Sequence, residues 1–510
     1  MLSRIYSCVL KGLDGKLTAV EVDISNGLPA LAIVGLPDVA VKESKERVRS
    51  AIKNSGFDFP MKRITINLAP ANMKKEGTHF DLPMALGILQ ASKQIESEDF
   101  EAFAFIGELS LNGSLNRVTG VLPLVIALRN QGINKIILPK SNADEAAMIK
   151  DVEVYPFENL RDIVKCFQGE LIVQPYIADR SSNKSTELYA EDFQDVVGQE
   201  MVKRAFQIAA AGGHNILMIG PPGSGKTMLA RRFPTILPSM TYEEMLEVTK
   251  IYSVAGELSD NESLVEVRPF RSPHHTISST ALVGGGRVPK PGEVSLAHYG
   301  VLFLDELPEF QRNVLEMLRQ PIEDEVVTIS RVNTTLTYPS KFILVASMNP
   351  CPCGHYGDSF HECTCTPWQI KKYLSKISGP LLDRIDMHIE IFPIKYEELT
   401  TEKQTKSSAE IRKAVERARK IQLERYKKNH ILFNSQLNGQ LMKKYCKLGC
   451  QEKLLMEEAF HKLKLSARAY NRIIKLSRTI ADLEESSDIS TTHIAEAIQY
   501  RNLDKKFWDT

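Results

Sequence analysis

No stretch of this 510-residue chain is apolar for the ~20 positions that a membrane helix needs. The longest runs, such as Val121–Leu128, have the length of buried core segments. At the start, only Ile5–Leu10 is apolar before charge returns, which is too short for a secretory core. An excess of charge is missing as well: 64 Lys and Arg stand against 63 Asp and Glu, a formal net charge of +1. Bulk charge therefore does not drive the chain onto nucleic acid or anionic lipid, and any such binding has to use local patches. Cysteine is scarce, with 8 in the whole chain, so there is no disulfide scaffold and the expected setting is a reducing, cytoplasmic one. No internal repeat recurs at a fixed period.

What is present is ordinary globular composition, 43% apolar and 25% charged, which excludes a largely disordered chain. The length predicts about three domains. Residues 1–176 mix short β-rich runs (17–22, 31–34, 64–68, 135–138) with helical stretches at 40–54, 82–92 and 121–131. Residues 177–190 are polar and without periodicity, and read as a linker. Residues 191–395 alternate apolar strands with helices. Ile216–Ile219, Val301–Leu304 and Phe342–Ala346 lack polar alternation, as strands buried on both faces of a parallel sheet do. Residues 396–510 carry helical pattern almost throughout, and Ser407-Ser-Ala-Glu410 predicts a capping box opening a helix to about Tyr426.

Gly220-Pro221-Pro222-Gly223-Ser224-Gly225-Lys226-Thr227 fits the phosphate-loop pattern, and it lies between an apolar strand and a predicted helix at 228–233. Glycines let backbone N–H groups converge on phosphate oxygens, and the helix N-terminus adds a favourable dipole. Lys226 is placed to reach the β- and γ-phosphates of ATP and Thr227 to ligate Mg²⁺. Asp305 and Glu306 end the strand Val301–Leu304; the first is assigned to the Mg²⁺ shell and the second to orienting the attacking water. Asn349 follows the third strand, where its amide can bond the γ-phosphate and the water, or simply form a turn before Pro350.

This order of loop, Asp-Glu and strand-Asn resembles the AAA+ ATPase module. The finer resemblance is to the magnesium-chelatase-like proteins of the ComM or YifB family. It is carried by Arg268-Pro-Phe-Arg-Ser-Pro-His-His275-Thr, Gly284-Gly-Gly286 to Glu293, Ser295-Leu-Ala-His298 and Asn349-Pro-Cys-Pro-Cys-Gly354. Ser378-Gly-Pro-Leu-Leu-Asp-Arg384-Ile-Asp386 and Ser466-Ala-Arg468 through Leu483 complete it, so that it spans essentially the whole chain. The resemblance implies a multidomain α/β protein: an N-terminal Lon-protease-like α+β domain, a central AAA+ parallel-sheet domain and a C-terminal helical lid. It further implies Arg384 as an arginine finger reaching a neighbour's nucleotide, Arg468 as a second sensor touching phosphate from its own lid, and a hexameric ring assembled on ATP or DNA. The implied work is movement of single-stranded or branched DNA, as in natural transformation. Protein remodelling or a chelatase-like motor is the alternative.

Several further residues stand out. Val326–Ser330 and Thr334–Thr337 read as a hairpin around Arg331, and Gly284–Gly292 as a protruding loop. Arg287, Lys290 and Arg331 are candidate DNA contacts lining a pore, or ordinary solvated loop charges. Cys351, Cys353, Cys363 and Cys365 can close a tetrahedral Zn²⁺ site, or stand as four reduced thiols. Cys446, Cys450 and the pair His274 and His275 are read as structural. The first block resembles a Lon-type protease at Phe105–Gly113 and Ile133–Lys140. Aligning Lys75-Glu76-Gly77 on that family puts His79 where its nucleophilic Ser belongs and Leu122 where its Lys belongs, with Thr78 the only hydroxyl nearby. The implied protease is inactive.

Overall fold

The computed structural model describes residues 2–96, 99–178, 191–259, 263–286, 289–331, 334–357, 361–393, 405–429, 431–501, 503 and 507. The chain divides into two compact units, Met1–Ser185 with Tyr242–Glu266, and Thr186–Thr241 with Val267–Thr510. This differs from the division expected from sequence in two ways. Tyr242–Glu266, inside the expected 191–395 block, belongs with the N-terminal unit, and the C-terminal helices share one unit with the parallel sheet. Among the described residues, no helix is long and apolar enough to cross a membrane.

The first unit is built on a seven-stranded sheet in the order β3-β4-β2-β1-β5-β8-β9. Its strands are β1 (Leu2–Lys11), β2 (Asp14–Ser25), β3 (Ala30–Val34), β4 (Arg63–Ala69), β5 (Phe103–Phe105), β8 (Lys135–Pro139) and β9 (Glu153–Phe157); β6 (Glu108–Leu109) and β7 (Leu115–Asn116) form a small separate ribbon. β1 and β2 are an antiparallel hairpin with Lys11 opposite Asp14, and Gly12 supplies the left-handed φ of +65° that so tight a reversal needs. The helix Val39–Asn54 is capped by Asp38, whose carboxylate accepts from Val41 N at 2.8 Å, and it buries Val41, Val48, Ala51 and Ile52 at helical spacing. The helix Asp81–Ala91 is apolar nearly all round and correspondingly buried all round.

The segment Tyr242–Glu266 is fastened here by polar bonds. The Ser253 hydroxyl donates to the buried Glu145 carboxylate, Gly120 N donates to Ser253 O at 3.0 Å, and Arg117 donates to Leu258 O at 3.2 Å. Burial pushes the Glu145 carboxyl up, while bonds from Ser253, Leu122 N and Asn142 favour its charged form.

The second unit centres on a five-stranded parallel sheet in the order β11-β14-β17-β10-β18. These are β10 (Ile216–Ile219), β11 (Phe270–Arg271), β14 (Val301–Leu304), β17 (Ile343–Met348) and β18 (Met387–Glu390); β12 (Gly284–Gly285) pairs with β13 (Lys290–Pro291), and β15 (Val326–Arg331) with β16 (Thr334–Pro339). Alternate residues of β10 feed opposite cores, Ile216 and Met218 on one face, Leu217 and Ile219 on the other. Both faces are covered, which is why the strand shows no polar alternation. The face of Ile216 is covered in part by Val415 of the helix Ser408–Tyr426 and by Ile473 and Ile480 of the helix Ala467–Leu483, so the C-terminal helices complete a core rather than form one of their own. The expected capping box is formed, with Ser407 accepting from Glu410 N at 3.3 Å and Glu410 accepting from Ser407 N at 2.9 Å. The β15–β16 hairpin and the β12–β13 ribbon lie where the two protruding loops were expected.

Candidate functional site

Three parallel strands deliver their C-terminal ends to one place. β10 runs into Gly220–Thr227, β14 into Asp305 and Glu306, and β17 into Asn349. The loop's shape depends on its glycines. A Cβ on Gly220 would meet the Ile391 carbonyl at 2.4 Å, and Gly223 and Gly225 hold φ of +74° and +86°. The helix begins at Lys226, so the first-turn N–H groups face the concavity of the loop.

Lys226 donates to Gly220 O at 2.7 Å, to Pro221 O at 2.8 Å and to Asn349 Oδ1 at 3.2 Å. Burial pushes its ammonium down to about 8, against the pull of the Asp305 and Glu306 carboxylates. Thr227 Oγ donates to Asp305 Oδ2 at 2.9 Å. The other oxygen of Asp305 accepts from Glu306 N at 3.0 Å and from the Ser347 hydroxyl. Glu306 itself sits in the left-handed region at φ +52°, a conformation that costs a side-chain-bearing residue about 1 kcal/mol or more. Its side chain is 59% exposed and aimed at solvent, with His275 Nδ1 3.8 Å from its carboxylate. The sequence-predicted residues Lys226, Thr227, Asp305, Glu306 and Asn349 are thus brought together.

Three neighbours were not singled out for this site. Ser347 stands two residues before Asn349, on the same side of its strand, and that alternation was the available signal. Gln199 donates to Ser224 O at 3.2 Å and to Phe392 O at 3.3 Å, tying the loop to the segment after β18. His275 was read as structural and lies against Glu306.

Arg384 and Arg468 are at the other edge of the sheet. Both line a cavity of about 370 Å³ with Asn215, Gly300, Phe342 and Asp386, residues that precede β10, β14, β17 and β18. Arg384 pairs with Glu323 at 2.7 Å and donates to Pro380 O at 2.7 Å. One turn beyond Arg468, Arg472 pairs with Asp386 at 2.5 Å. Burial works against the charge of Asp386, yet Arg472, His214 and Asn215 N hold its carboxyl below the usual carboxylate range. Arg468, expected to touch phosphate from its own lid, lies elsewhere in this structure. Its helix packs on the sheet so that Arg468 meets the strands' N-terminal ends, about 13 Å of β10 away from its own loop at roughly 3.3 Å per residue.

The four cysteines after Asn349 bring their sulfurs within 4.8 Å of one another, and none of them is in a disulfide. Of the DNA candidates, Lys290 is exposed on β13. Arg287 and the side chain of Arg331 lie outside the described residues. In the N-terminal unit, Lys75 is buried and donates to Met73 O at 2.9 Å and to Pro70 O. Thr78 donates to Glu108, and His79 Nε2 lies 2.8 Å from the Cys8 carbonyl. Burial pushes the His79 imidazole down to about 4, so it is neutral near pH 7. Leu122 is buried, its N–H donating to Glu145 at 3.0 Å.

Three family profiles match. The one described as magnesium chelatase, subunit ChlI, covers residues 192–399; subunit ChlI of Mg-chelatase covers 20–142; and the ChlI C-terminal profile covers 405–501. The chain is 45% identical over 504 residues to competence protein ComM of Haemophilus influenzae, covering 98% of this chain and 97% of that one. It is 42% identical over 506 residues to the uncharacterized protein YifB of Escherichia coli, covering 99% and 98%. A magnesium-chelatase 67 kDa subunit of Chlorobaculum tepidum is 29% identical over 164 residues, 31% of this chain and 23% of that one.

Proposed function

The chain belongs to the ComM/YifB family of magnesium-chelatase-like proteins, and on that premise we propose that it is an AAA+ ATPase whose hexameric ring converts ATP hydrolysis into movement of single-stranded or branched DNA in the cytoplasm. One observation carries the reading: Lys226, Thr227, Asp305, Glu306 and Asn349 gather at the C-terminal ends of the parallel strands, and two arginines gather at the N-terminal ends of the same sheet. One protomer therefore holds a loop without its arginines. Head-to-tail packing brings the arginine end of one copy to the loop end of the next, and such an interface forms a ring when its rotation closes.

The geometry supports the following roles. The backbone N–H groups of the loop and the Lys226 ammonium take the phosphate oxygens, which replace the carbonyls that Lys226 bonds in this structure. Thr227 Oγ and Asp305 Oδ2, two oxygens already 2.9 Å apart, fit the all-oxygen shell of Mg²⁺ and would hold it; the ion, when bound, neutralises charge on the phosphates. Ser347 and Glu306 N keep Asp305 aimed at that position. Glu306 orients the attacking water and accepts its proton, and Asn349 steadies Lys226. Arg384 and Arg468 supply fixed guanidinium charge to the neighbour's transferring phosphoryl group.

The N-terminal unit is read as a Lon-protease-like scaffold without peptidase activity. The aligned positions of the dyad hold His79, bonded to a backbone carbonyl, and the buried Leu122, and Lys75 is tied to backbone carbonyls instead of a hydroxyl. Lys290, with Arg287 and Arg331, would track DNA phosphates.

The similarity to a magnesium-chelatase subunit favours a second reading, a chelatase-like or protein-remodelling motor. ATP turnover with forked DNA, single-stranded DNA or unfolded casein separates the two. The DNA reading predicts several-fold stimulation by either DNA and none by casein, with stimulation falling as salt is raised. Stimulation by casein alone would replace it with the second reading.

A further inference from the structure

The segment from Asn349 to Gly354 touches the phosphate loop at both of its ends. Asn349 Oδ1 accepts from Lys226 at 3.2 Å. Gly354, at φ +87°, lies so close over the ring of Pro222 that a Cβ there would meet Pro222 Cδ at 2.6 Å. Between these two contacts are Cys351 and Cys353, and their sulfurs meet those of Cys363 and Cys365.

The sulfurs are arranged as the ligands of one ion. Cys351 and Cys353 are 3.3 Å apart, Cys353 and Cys363 3.6 Å, and Cys351 and Cys363 3.7 Å. Four sulfurs about 2.3 Å from a tetrahedral zinc stand about 3.8 Å from one another. A disulfide would need about 2.0 Å, and a polynuclear iron–sulfur cluster spreads its cysteines over several metal atoms. Soft thiolates alone, without carboxylate or carbonyl, select zinc over magnesium or calcium. Two backbone donors point at the sulfurs, Tyr356 N at Cys351 (3.3 Å) and Cys353 N at Cys365 (3.4 Å), the pattern that steadies thiolate ligands. The His355 and His361 rings lie 4.8 Å apart, tilted by 36°, and neither belongs to the ligand group.

We propose that Cys351, Cys353, Cys363 and Cys365 hold one zinc ion, and that this zinc knot fixes the Asn349–Gly354 segment against the phosphate loop, so that zinc occupancy sets nucleotide affinity. The knot closes twelve residues of chain onto Cys351 and Cys353 and so removes the freedom with which Gly354 could leave Pro222. The second half of the proposal rests on the nucleotide reading of the loop; the first does not.

The test uses untagged full-length protein, desalted without chelator. Mass spectrometry of the metal should find about one zinc per chain, lost in Cys363→Ser and in Cys365→Ser. Because those variants could misfold, the same measurement is made on wild type stripped with a thiol-blocking mercurial, freed with excess thiol and reloaded with zinc chloride. Titration with a fluorescent ATP analogue should show about tenfold weaker binding after stripping and recovery on reloading. Gly354→Ala, which keeps all four ligands, should keep its zinc and weaken nucleotide binding. Less than a tenth of a zinc per chain in wild type overturns the site. Unchanged affinity after stripping overturns the coupling. A zinc-loaded wild type that binds no nucleotide would instead refute the nucleotide reading and leave the metal site standing.

Discussion

Lys226→Ala is expected to weaken ATP binding by one to two orders of magnitude and to abolish turnover. The ammonium is a single side chain with three acceptors on the rim of the loop, Gly220 O, Pro221 O and Asn349 Oδ1. On the proposed reading phosphate oxygens displace these acceptors, and each charge-assisted bond of that kind contributes about 1.5–3 kcal/mol, or about 10–150-fold in affinity. The loss in rate should be greater still, because in the proposed role the same charge meets the γ-phosphate as negative charge redistributes in the transition state. The fold should survive: the rest of the loop is shaped by Gly220, Gly223 and Gly225 and by the Ser224 hydroxyl bond to Pro221 O, none of which involves the lysine side chain. Calorimetric titration with ATP measures the first effect and phosphate release the second. Binding within threefold of wild type would remove Lys226 from the phosphates.

Glu306→Gln should behave in the opposite sense on binding, holding ATP with near wild-type affinity while turnover falls about 10²–10⁴-fold, the usual worth of a general base. Its backbone N–H donates to Asp305 Oδ1 whatever the side chain is, so the pair of Thr227 and Asp305, proposed to hold Mg²⁺, is untouched. Glutamine keeps the volume and the left-handed backbone but cannot take a proton from water. With hydrolysis stopped, the ATP-bound ring persists and accumulates. Single-turnover kinetics and sizing chromatography with ATP check the two halves. Normal turnover would place the base elsewhere, with Asp305 the nearest carboxylate.

Much of this site was legible in the linear sequence because each of its parts is local. A strand, a glycine-rich turn and a helix start are contiguous from Ile216 to Thr227, and two acids directly follow Val301–Leu304. Capping at Ser407 and the pairing of β15 with β16 are equally short-range. What could not be read was set by packing. Arg468 was recognisable as a residue type in a motif, but which sheet edge its helix covers depends on Ile473 and Ile480 meeting the core beside Ile216. The helix Tyr242–Ala255 was invisible as part of the N-terminal unit, because a discontinuous domain leaves no composition shift at its borders. Its allegiance is decided by buried polar bonds such as Ser253 to Glu145, formed across 108 residues of sequence. Ser347 was hidden among the apolar residues of β17, since a hydroxyl inside a buried strand looks like noise until its partner Asp305 is in place. The β1 strand, likewise, is fixed by ten consecutive pairings with β2 and not by a pattern of its own.

In the proposed ring ATP is broken at a junction between protomers, with the loop from one copy and the arginines from the next. Mixing two inactive variants tests it most directly. Lys226→Ala disables the loop and leaves the arginines; Arg468→Ala changes an exposed residue, leaves the loop and removes the arginine it offers to a neighbour. In mixed rings at equal amounts, about a quarter of the junctions combine the intact loop of one variant with the intact arginine of the other. ATP turnover should therefore return in the mixture, with forked DNA present, to a substantial fraction of the wild-type rate. If subunits exchange and the mixture stays as inactive as its components, each site takes both parts from a single chain, and the shared-site account is wrong.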